Sequence, residues 1–108
     1  MCIWTEQRLQ RLFVRYNRRF WADRLPGVRV RISHLDHCYG EWDAGQREIR
    51  IDINRHANND REIRSTLLHE MAHVEAGPGH GSKFWFQIER LLRQRASLSA
   101  LRWIGLIK

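Results

Sequence analysis

The chain has 108 residues, 43% of them apolar and 29% charged, with two prolines and no repeated or low-complexity segment. This length suits one small domain with its own hydrophobic core, and the composition excludes an intrinsically disordered chain. Nineteen lysines and arginines, seventeen of them arginine, stand against twelve acidic residues and leave a net charge of +7, which favours an acidic partner.

The N-terminal segment and the two cysteines bear on the cellular compartment. Glu6 and Arg8 interrupt the N-terminal sequence MCIWTEQRLQRLF before an apolar run of signal-peptide length forms. No later apolar segment reaches the length of a membrane span. Cys2 and Cys38 lie far apart and outside any CxxC pair, which argues against a disulfide framework and excludes a cysteine zinc ribbon. We therefore expect a cytoplasmic protein, or a nucleoid or nuclear one if it associates with DNA, that is not secreted. Cys38 is expected in a half-buried strand, with a position near a bound metal as the alternative.

The first predicted element is an amphipathic helix over about residues 4–21. Its buried face is formed by apolar side chains at helical spacing, namely Leu9, Leu12, Phe13, Tyr16 and Phe20. A basic stripe runs one residue out of step with that face and consists of Arg8, Arg11, Arg15 and Arg18. The stripe is either an ordinary solvated surface or a surface for nucleic acid.

Three strands are predicted after Pro26-Gly27, which stops the first helix. The first has apolar Val28, Val30 and Ile32 alternating with Arg29, Arg31 and Ser33. The segment CYGEWDAGQREIRIDI then predicts a hairpin with its turn near Asp43–Gln46. We expect all three strands to be antiparallel.

Two further helices are predicted. The first lies in the segment NNDREIRSTLLHEMAHVEAG, has Asn59 or Asp60 as its N-cap and ends at Gly77-Pro78. Its core face is made of Ile63, Leu67, Leu68, Met71 and Val74. Ser82 is expected to cap the last helix, which contains Phe84, Ile88, Leu91 and Leu92. The tail 97–108 either docks on the core or meets a partner.

The second helix contains the motif HExxH. His69 and His73 are separated by one helical turn, so their imidazoles can bind one zinc ion at about 2.0–2.1 Å. Glu70 projects about 100° round from His69, beside the metal, where a general base can accept a proton from water. His80 follows a Gly-Pro-Gly break that can return it to the first two histidines. Three histidines and a water would complete a catalytic tetrahedral site.

Alternatives remain at this stage. The histidines could be ordinary surface residues, or a bound metal could serve no catalysis, although neither accounts for the position of Glu70. Glu89 on the last helix is a substitute third ligand, by analogy with the His2Glu sites of other zinc peptidases. The remaining histidines, His34, His37 and His56, lie in or near predicted loops and are not expected to be ligands, and Glu75 should face away.

TLLHEMAHV followed by GHGSKF resembles the SprT-like (Spartan-type) zinc metalloprotease domain, and the likeness covers about residues 5–95, including CYGEWDAGQREIRID. The resemblance implies an α+β, zincin-like single domain over residues 1–108, with an N-terminal helix, a small three-stranded antiparallel sheet, the HExxH helix and a C-terminal helix. It further implies one zinc per chain bound by His69, His73 and His80, with Glu70 as the catalytic residue.

The chain also departs from its apparent relatives. The connection from His73 to His80 is shorter than in Spartan itself, and the zinc ribbon and long partner-binding tails of some relatives have no counterpart. A metzincin is excluded, because Ala76 and Gly79 stand where that class has glycine and histidine.

The leading functional hypothesis is a zinc-dependent endopeptidase acting on DNA-associated proteins, as in repair of DNA–protein crosslinks. One alternative is a basic nucleic-acid-binding module with a structural or vestigial zinc site, and another is a zinc peptidase of soluble proteins. Expected DNA contacts, with single strands preferred, are Arg8, Arg11, Arg15, Arg18, Arg29 and Arg31. Candidates for base stacking are Trp4, Trp21 and Trp42, although most tryptophans in so small a domain belong to the core. Cleavage specificity, the oxyanion-stabilising residue and the oligomeric state stay open.

Overall fold

A computed structural model describes residues 4–56, 59–94 and 96. Its elements, in chain order, are α1 (Glu6–Trp21), β1 (Arg29–Ile32), β2 (Gly40–Asp43), β3 (Glu48–Ile51), α2 (Asp60–Ala76) and α3 (Ser82–Arg93). This order confirms the predicted α+β architecture. Cys2 and the tail 97–108 lie outside the described residues. Within the described ranges, no helix is long and apolar enough to cross a membrane.

Helix α1 begins at a side-chain cap and ends in a left-handed residue. The hydroxyl of Thr5 accepts a hydrogen bond from the backbone N–H of Arg8 at 3.0 Å, which satisfies one of the free donors of the first turn. Ala22, with φ of 49°, ends the helix four residues before Pro26. The whole predicted apolar face of α1 is buried.

The sheet is mixed, with strand order β1-β3-β2. β2 and β3 form the predicted antiparallel hairpin, with Trp42 opposite Ile49, whereas β1 pairs parallel with β3, with Val30 beside Ile49. The prediction of an antiparallel first strand is therefore wrong. Parallel neighbouring strands need a crossover connection, and here residues 33–39 together with β2 provide it. The crossover leaves β3 in the centre of the sheet. That strand contains two fully buried isoleucines, Ile49 and Ile51.

One arginine ties the hairpin together on its wet face. Arg50 forms ion pairs with Glu41 at 3.0 Å, with Asp43 at 3.0 Å and with Glu48 at 2.7 Å. Glu41 and then Asp43 are the main causes of the raised pKa of Arg50. Because Glu41 lies directly opposite Arg50 in the register, the pair fixes β2 against the central strand.

The core lies between the sheet and the helices. α1 packs on β1, while α2 packs on β2, β3 and α3. The predicted core face of α2 is fully buried except for Val74, which is half-buried. In α3, Phe84, Ile88 and Leu91 are buried, but Leu92 is 51% exposed. The expected cap is wrong as well, because Ser82 is already helical and Gly81 occupies the cap position without a side-chain hydrogen bond.

Candidate active site

The structure brings together the three histidines that the sequence singled out. His69 and His73 lie one turn apart on α2, with their Nε2 atoms 3.2 Å from each other. His80 returns after the turn, and its Nε2 lies 3.3 Å from that of His69. One ligand atom from each of the three lies within 4.8 Å of the others.

The return of His80 depends on two glycines in the turn after α2. Gly77 and Gly79 have φ of 87° and 85°, a left-handed conformation that side chains with Cβ rarely adopt. The carbonyl of Gly77 lies 3.0 Å from Nδ1 of His73. When Nδ1–H donates to this carbonyl, the lone pair of Nε2 is directed into the histidine cluster, which is the arrangement that ligating imidazoles adopt.

Two of the three nitrogen separations in the cluster fit a tetrahedral zinc ion. With bonds of about 2.0–2.1 Å, two ligand nitrogens of a tetrahedron lie about 3.3–3.4 Å apart, and the observed separations from His69 are 3.2 and 3.3 Å. Burial lowers the pKa of His69 to about 3 and also lowers the pKa of His73. Both imidazoles are therefore neutral at pH 7, the form that binds metals.

Phe84 is a site residue that sequence reasoning placed only in the core. Its ring contacts all three imidazoles, with centroid distances of 4.9 Å to His69, 4.5 Å to His73 and 4.8 Å to His80. The ring is 1% exposed. It forms an apolar floor that holds the rings in place and limits solvent access, a property that tunes metal sites.

Glu70 lies beside the histidines and is buried, with 6% exposure. Burial raises the pKa of Glu70 to about 8, with a smaller contribution from the carboxylate of Glu41. In the absence of a cation the carboxyl is therefore mostly protonated at pH 7. A positive charge nearby favours the carboxylate and would lower this pKa.

Two cavities flank the cluster, and both include Glu70, His73 and His80. One, of about 190 Å³, is also lined by Cys38, Tyr39, Gly40, Thr66 and His69. The other, of about 240 Å³, is completed by Trp42, Pro78 and Gly79. Together they form a cleft along β2, one of the two edge strands of the sheet. Cys38 is half-buried, as predicted, but it precedes β2 instead of lying in a strand.

A buried hydrogen-bonded chain supports the wall of the cleft. His56 is 5% exposed; its Nδ1 lies 2.6 Å from the carbonyl of Asp52 and its Nε2 lies 2.7 Å from the hydroxyl of Thr66. Thr66 precedes Glu70 by one turn of α2. His56 is outside the metal cluster, as predicted, but its link to Thr66 was missed because it joins a loop to a helix. His34 and His37 are exposed.

Gly40 is the point where β2 approaches α2 most closely. A Cβ at this position would lie 2.6 Å from Cγ2 of Thr66 and 3.3 Å from Cγ of Glu70. Because His56 holds Thr66, we expect Gly40→Ala to displace β2 and to destabilise the fold by about 1–3 kcal/mol, the usual cost of overpacking. Urea unfolding measures this change. Gly27→Ala is the control, because a Cβ at Gly27 meets nothing within 4 Å; equal effects of the two substitutions would contradict the tight contact.

Glu89, the substitute ligand considered above, is not near the cluster. Its carboxylate binds Arg93 at 3.3 Å and its side chain is 65% exposed, and the histidine cluster of the described residues does not include it. Glu75 also faces away, 3.8 Å from Arg24. The geometry thus favours His80 as the third ligand.

The predicted DNA-contacting arginines separate into groups. Arg8, Arg11 and Arg15 line one cavity on α1. Arg18 lies 3.9 Å from Asp23, and Arg29 is exposed. Arg31 is flanked by carboxylates, at 3.7 Å from both Glu6 and Glu48, so part of its charge is compensated.

Burial excludes two of the three candidate tryptophans from base stacking. Trp4 is 2% exposed and Trp21 is 1% exposed, so their faces are not available to a base. Nε1 of Trp21 donates to Oε1 of Gln87 at 3.2 Å. Trp42 is half-buried and lines the cleft beside Pro78.

Comparisons with known proteins bear on the family and the fold. The model of the SprT-like family matches residues 9–101, whereas a search of curated protein sequences gave no match. A similar solved structure is the crystal structure of the metallopeptidase zymogen of Pyrococcus abyssi abylysin, with 21% identity over 82% of this chain and 84% of that chain and a TM-score of 0.66. At this identity the likeness shows a shared fold. Since the family model spans most of the sequence, the chain belongs to the SprT-like family.

Proposed function

We propose that the protein is a zinc-dependent endopeptidase. The observation that carries the proposal is the cluster of His69, His73 and His80, with nitrogen separations of 3.2 and 3.3 Å, next to the buried carboxyl of Glu70. A zinc ion held there would act as a Lewis acid and lower the pKa of water to about 7. Structural zinc sites use four protein ligands, whereas the cluster found among the described residues has three, which supports a catalytic site over a structural one.

Glu70 is the proposed general base. Its carboxylate accepts the proton of the attacking water and then delivers it to the leaving amine nitrogen, which restores the carboxylate for the next cycle. Burial keeps bulk water away from the side chain, and a zinc ion at the neighbouring histidines would keep the carboxylate ionised. The neutral imidazoles of His69 and His73 take no proton in this scheme.

The position of the cleft supports a polypeptide substrate. Among the described strands β2 pairs with β3 alone, so its other edge is unpaired there, and Gly40 and Trp42 of β2 line the two cavities of the cleft. An extended peptide can pair with such an edge through its main chain. Because cavities lie on both sides of the histidines, residues on both sides of a scissile bond have room, as internal cleavage requires.

We further propose that the substrates are DNA-associated proteins, as in repair of DNA–protein crosslinks. The net charge of +7 and the shared cavity of Arg8, Arg11 and Arg15 support this part. Under the alternative in which the targets are soluble proteins, the charge would serve solubility alone. Salt-dependent binding to DNA separates these two possibilities.

Metal removal tests the peptidase itself. We expect a stoichiometric zinc-loaded protein to cleave an unstructured substrate such as casein, to lose this activity in a chelator, and to regain it with one equivalent of zinc but not with magnesium, which prefers oxygen ligands. Product formation and elemental analysis measure the result. Hydrolysis that survives complete metal removal, or a zinc-loaded protein that cleaves no polypeptide, would refute the proposal.

A further inference from the structure

A cavity of about 250 Å³, separate from the two beside the histidines, lies on α1 and α2. It is lined by Trp4, Arg8, Arg11, Leu12, Arg15 and Arg64, and we call it the arginine cavity. One carboxylate offsets its charge: Asp60 binds Arg8 at 3.3 Å and Arg64 at 2.8 Å. Arg11 and Arg15 are exposed and have no ion-pair partner among the described residues. Four guanidinium groups against one carboxylate leave a marked excess of positive charge.

The cavity wall also contains two buried donors that have no acceptor. Arg8 stacks on the ring of Trp4, with 3.7 Å from its guanidinium carbon to the ring centroid. Nη1 of Arg8 and Nε1 of Trp4 are both shielded from solvent and have no hydrogen-bond partner in the described part of the chain. Since buried donors are nearly always satisfied in folded proteins, their presence beside an excess of positive charge indicates an anionic ligand with several acceptor atoms.

We propose that the arginine cavity binds a phosphate group, presented by a single-stranded nucleic acid or as free phosphate. A phosphate has oxygens in several directions, and guanidinium groups bind it through paired N–H donors. Because Trp4 is 2% exposed, it can donate from its edge but cannot stack on a base. Contacts to a nucleic-acid strand are therefore contacts to its sugar-phosphate backbone, which carry no direct sequence information.

The arginine cavity and the histidine cluster are on different faces of α2. Arg64 precedes His69 by five residues, which places it about 140° round the helix and about 7.5 Å along its axis. A nucleic-acid strand bound at Arg64 thus leaves the cleft open to a protein that is attached to the same nucleic acid. Where the phosphate belongs to a strand, this inference rests on the proposed association with DNA.

The indole N–H of Trp4 provides a local measurement. In zinc-loaded, ¹⁵N-labelled protein its resonance is assigned with Trp4→Phe, or by triple-resonance experiments if that variant does not fold. We expect this resonance to shift on titration with inorganic phosphate and with a 12-nucleotide single strand, because the N–H gains a charged acceptor.

Fluorescence anisotropy of the same oligonucleotide tests the arginines. We expect Arg11→Gln/Arg15→Gln to weaken binding at low salt by about tenfold or more, and to reduce the slope of log affinity against log salt by about 1.4, the value for two phosphate contacts on a single strand. The control is Arg19→Gln/Arg93→Gln, which removes the same charge from exposed positions on α1 and α3 outside the cavity. We expect it to change affinity less than twofold.

The outcomes separate the site from the wider proposals. A response to the oligonucleotide alone assigns the phosphate to a strand, and a response to inorganic phosphate alone retains the site but removes the DNA association. Oligonucleotide binding that leaves Trp4 unmoved, or that the control variant weakens equally, overturns the site while DNA association stands. No response to either probe overturns both. None of these readouts measures hydrolysis, so the peptidase proposal is tested separately.

Discussion

Replacing Glu70 by glutamine is expected to lower peptide-bond hydrolysis by about 10²–10⁴-fold while one zinc ion remains bound, because loss of general-base catalysis has this magnitude. The amide has the shape of the carboxyl, so it fits a position that is 6% exposed, but it cannot accept the proton of water. The three histidines are unchanged. Steady-state hydrolysis of a fluorogenic peptide, zinc content and thermal unfolding together measure this outcome.

Glu75→Gln is the matched control for this variant. Glu75 lies on the same helix and is exposed, 3.8 Å from Arg24, and it lines neither cavity of the cleft. We expect its turnover to stay within about twofold of the parent, since a weak surface ion pair contributes little. If Glu70→Gln keeps full turnover with zinc bound, Glu70 is not the base. If Glu75→Gln loses as much turnover, the loss comes from removing a negative charge from α2 and not from removing a base.

The helices could be predicted from sequence because their signals are local. The buried face of α1, the Asn59 cap of α2 and the glycine that ends α2 all depend on residues within a few positions of one another. The hairpin of β2 and β3 is local in the same sense. The pairing partner of β1 is not determined by local residues, because alternation of apolar and polar residues fixes which face of a strand is buried but not which strand lies alongside it.

The candidate site divides in the same way. His69, Glu70 and His73 are arranged by the geometry of one helix, so their spacing alone predicts their relation. His80 depends on the chain reversal through Gly77 and Gly79, which the Gly-Pro-Gly break predicted, and the resemblance to SprT-like domains added its role as a ligand.

Contacts between distant segments were missed. The ring of Phe84 lies under the imidazoles, His56 binds Thr66, and Gly40 packs against the same threonine. None of these pairs is marked by spacing, since each joins separate elements. The sequence allowed a core position for Trp4 but not its neighbours, because its position beside α2 depends on tertiary packing, including the stacking of Arg64 at 5.3 Å from its ring.

His80→Ala is expected to remove most of the stabilisation that zinc gives to the fold. At a free zinc concentration about 100 times the dissociation constant, binding stabilises the parent by about 2.7 kcal/mol, which corresponds to a rise in Tm of about 10–20 °C for a domain of this size. Loss of supporting contacts around a metal already costs 10–100-fold in affinity, so loss of a ligand should cost about 100-fold or more. At the same zinc concentration the stabilisation then falls to about 0.4 kcal/mol or less, a rise of about 2–3 °C at most.

Comparison with Glu89→Ala makes this result specific to the third ligand. His80 is exposed in a turn, so its truncation should leave the metal-free fold intact and the metal-free Tm close to that of the parent. Glu89 is 65% exposed and paired with Arg93, so its truncation should leave the zinc-dependent rise in Tm unchanged. Scanning calorimetry with and without zinc, together with zinc titration, measures both. If Glu89→Ala loses the zinc-dependent rise in Tm and His80→Ala retains it, the third ligand is Glu89 on α3 and not His80. A retained rise in both would mean that His69 and His73 bind zinc without either residue, and the three-histidine site would then be wrong.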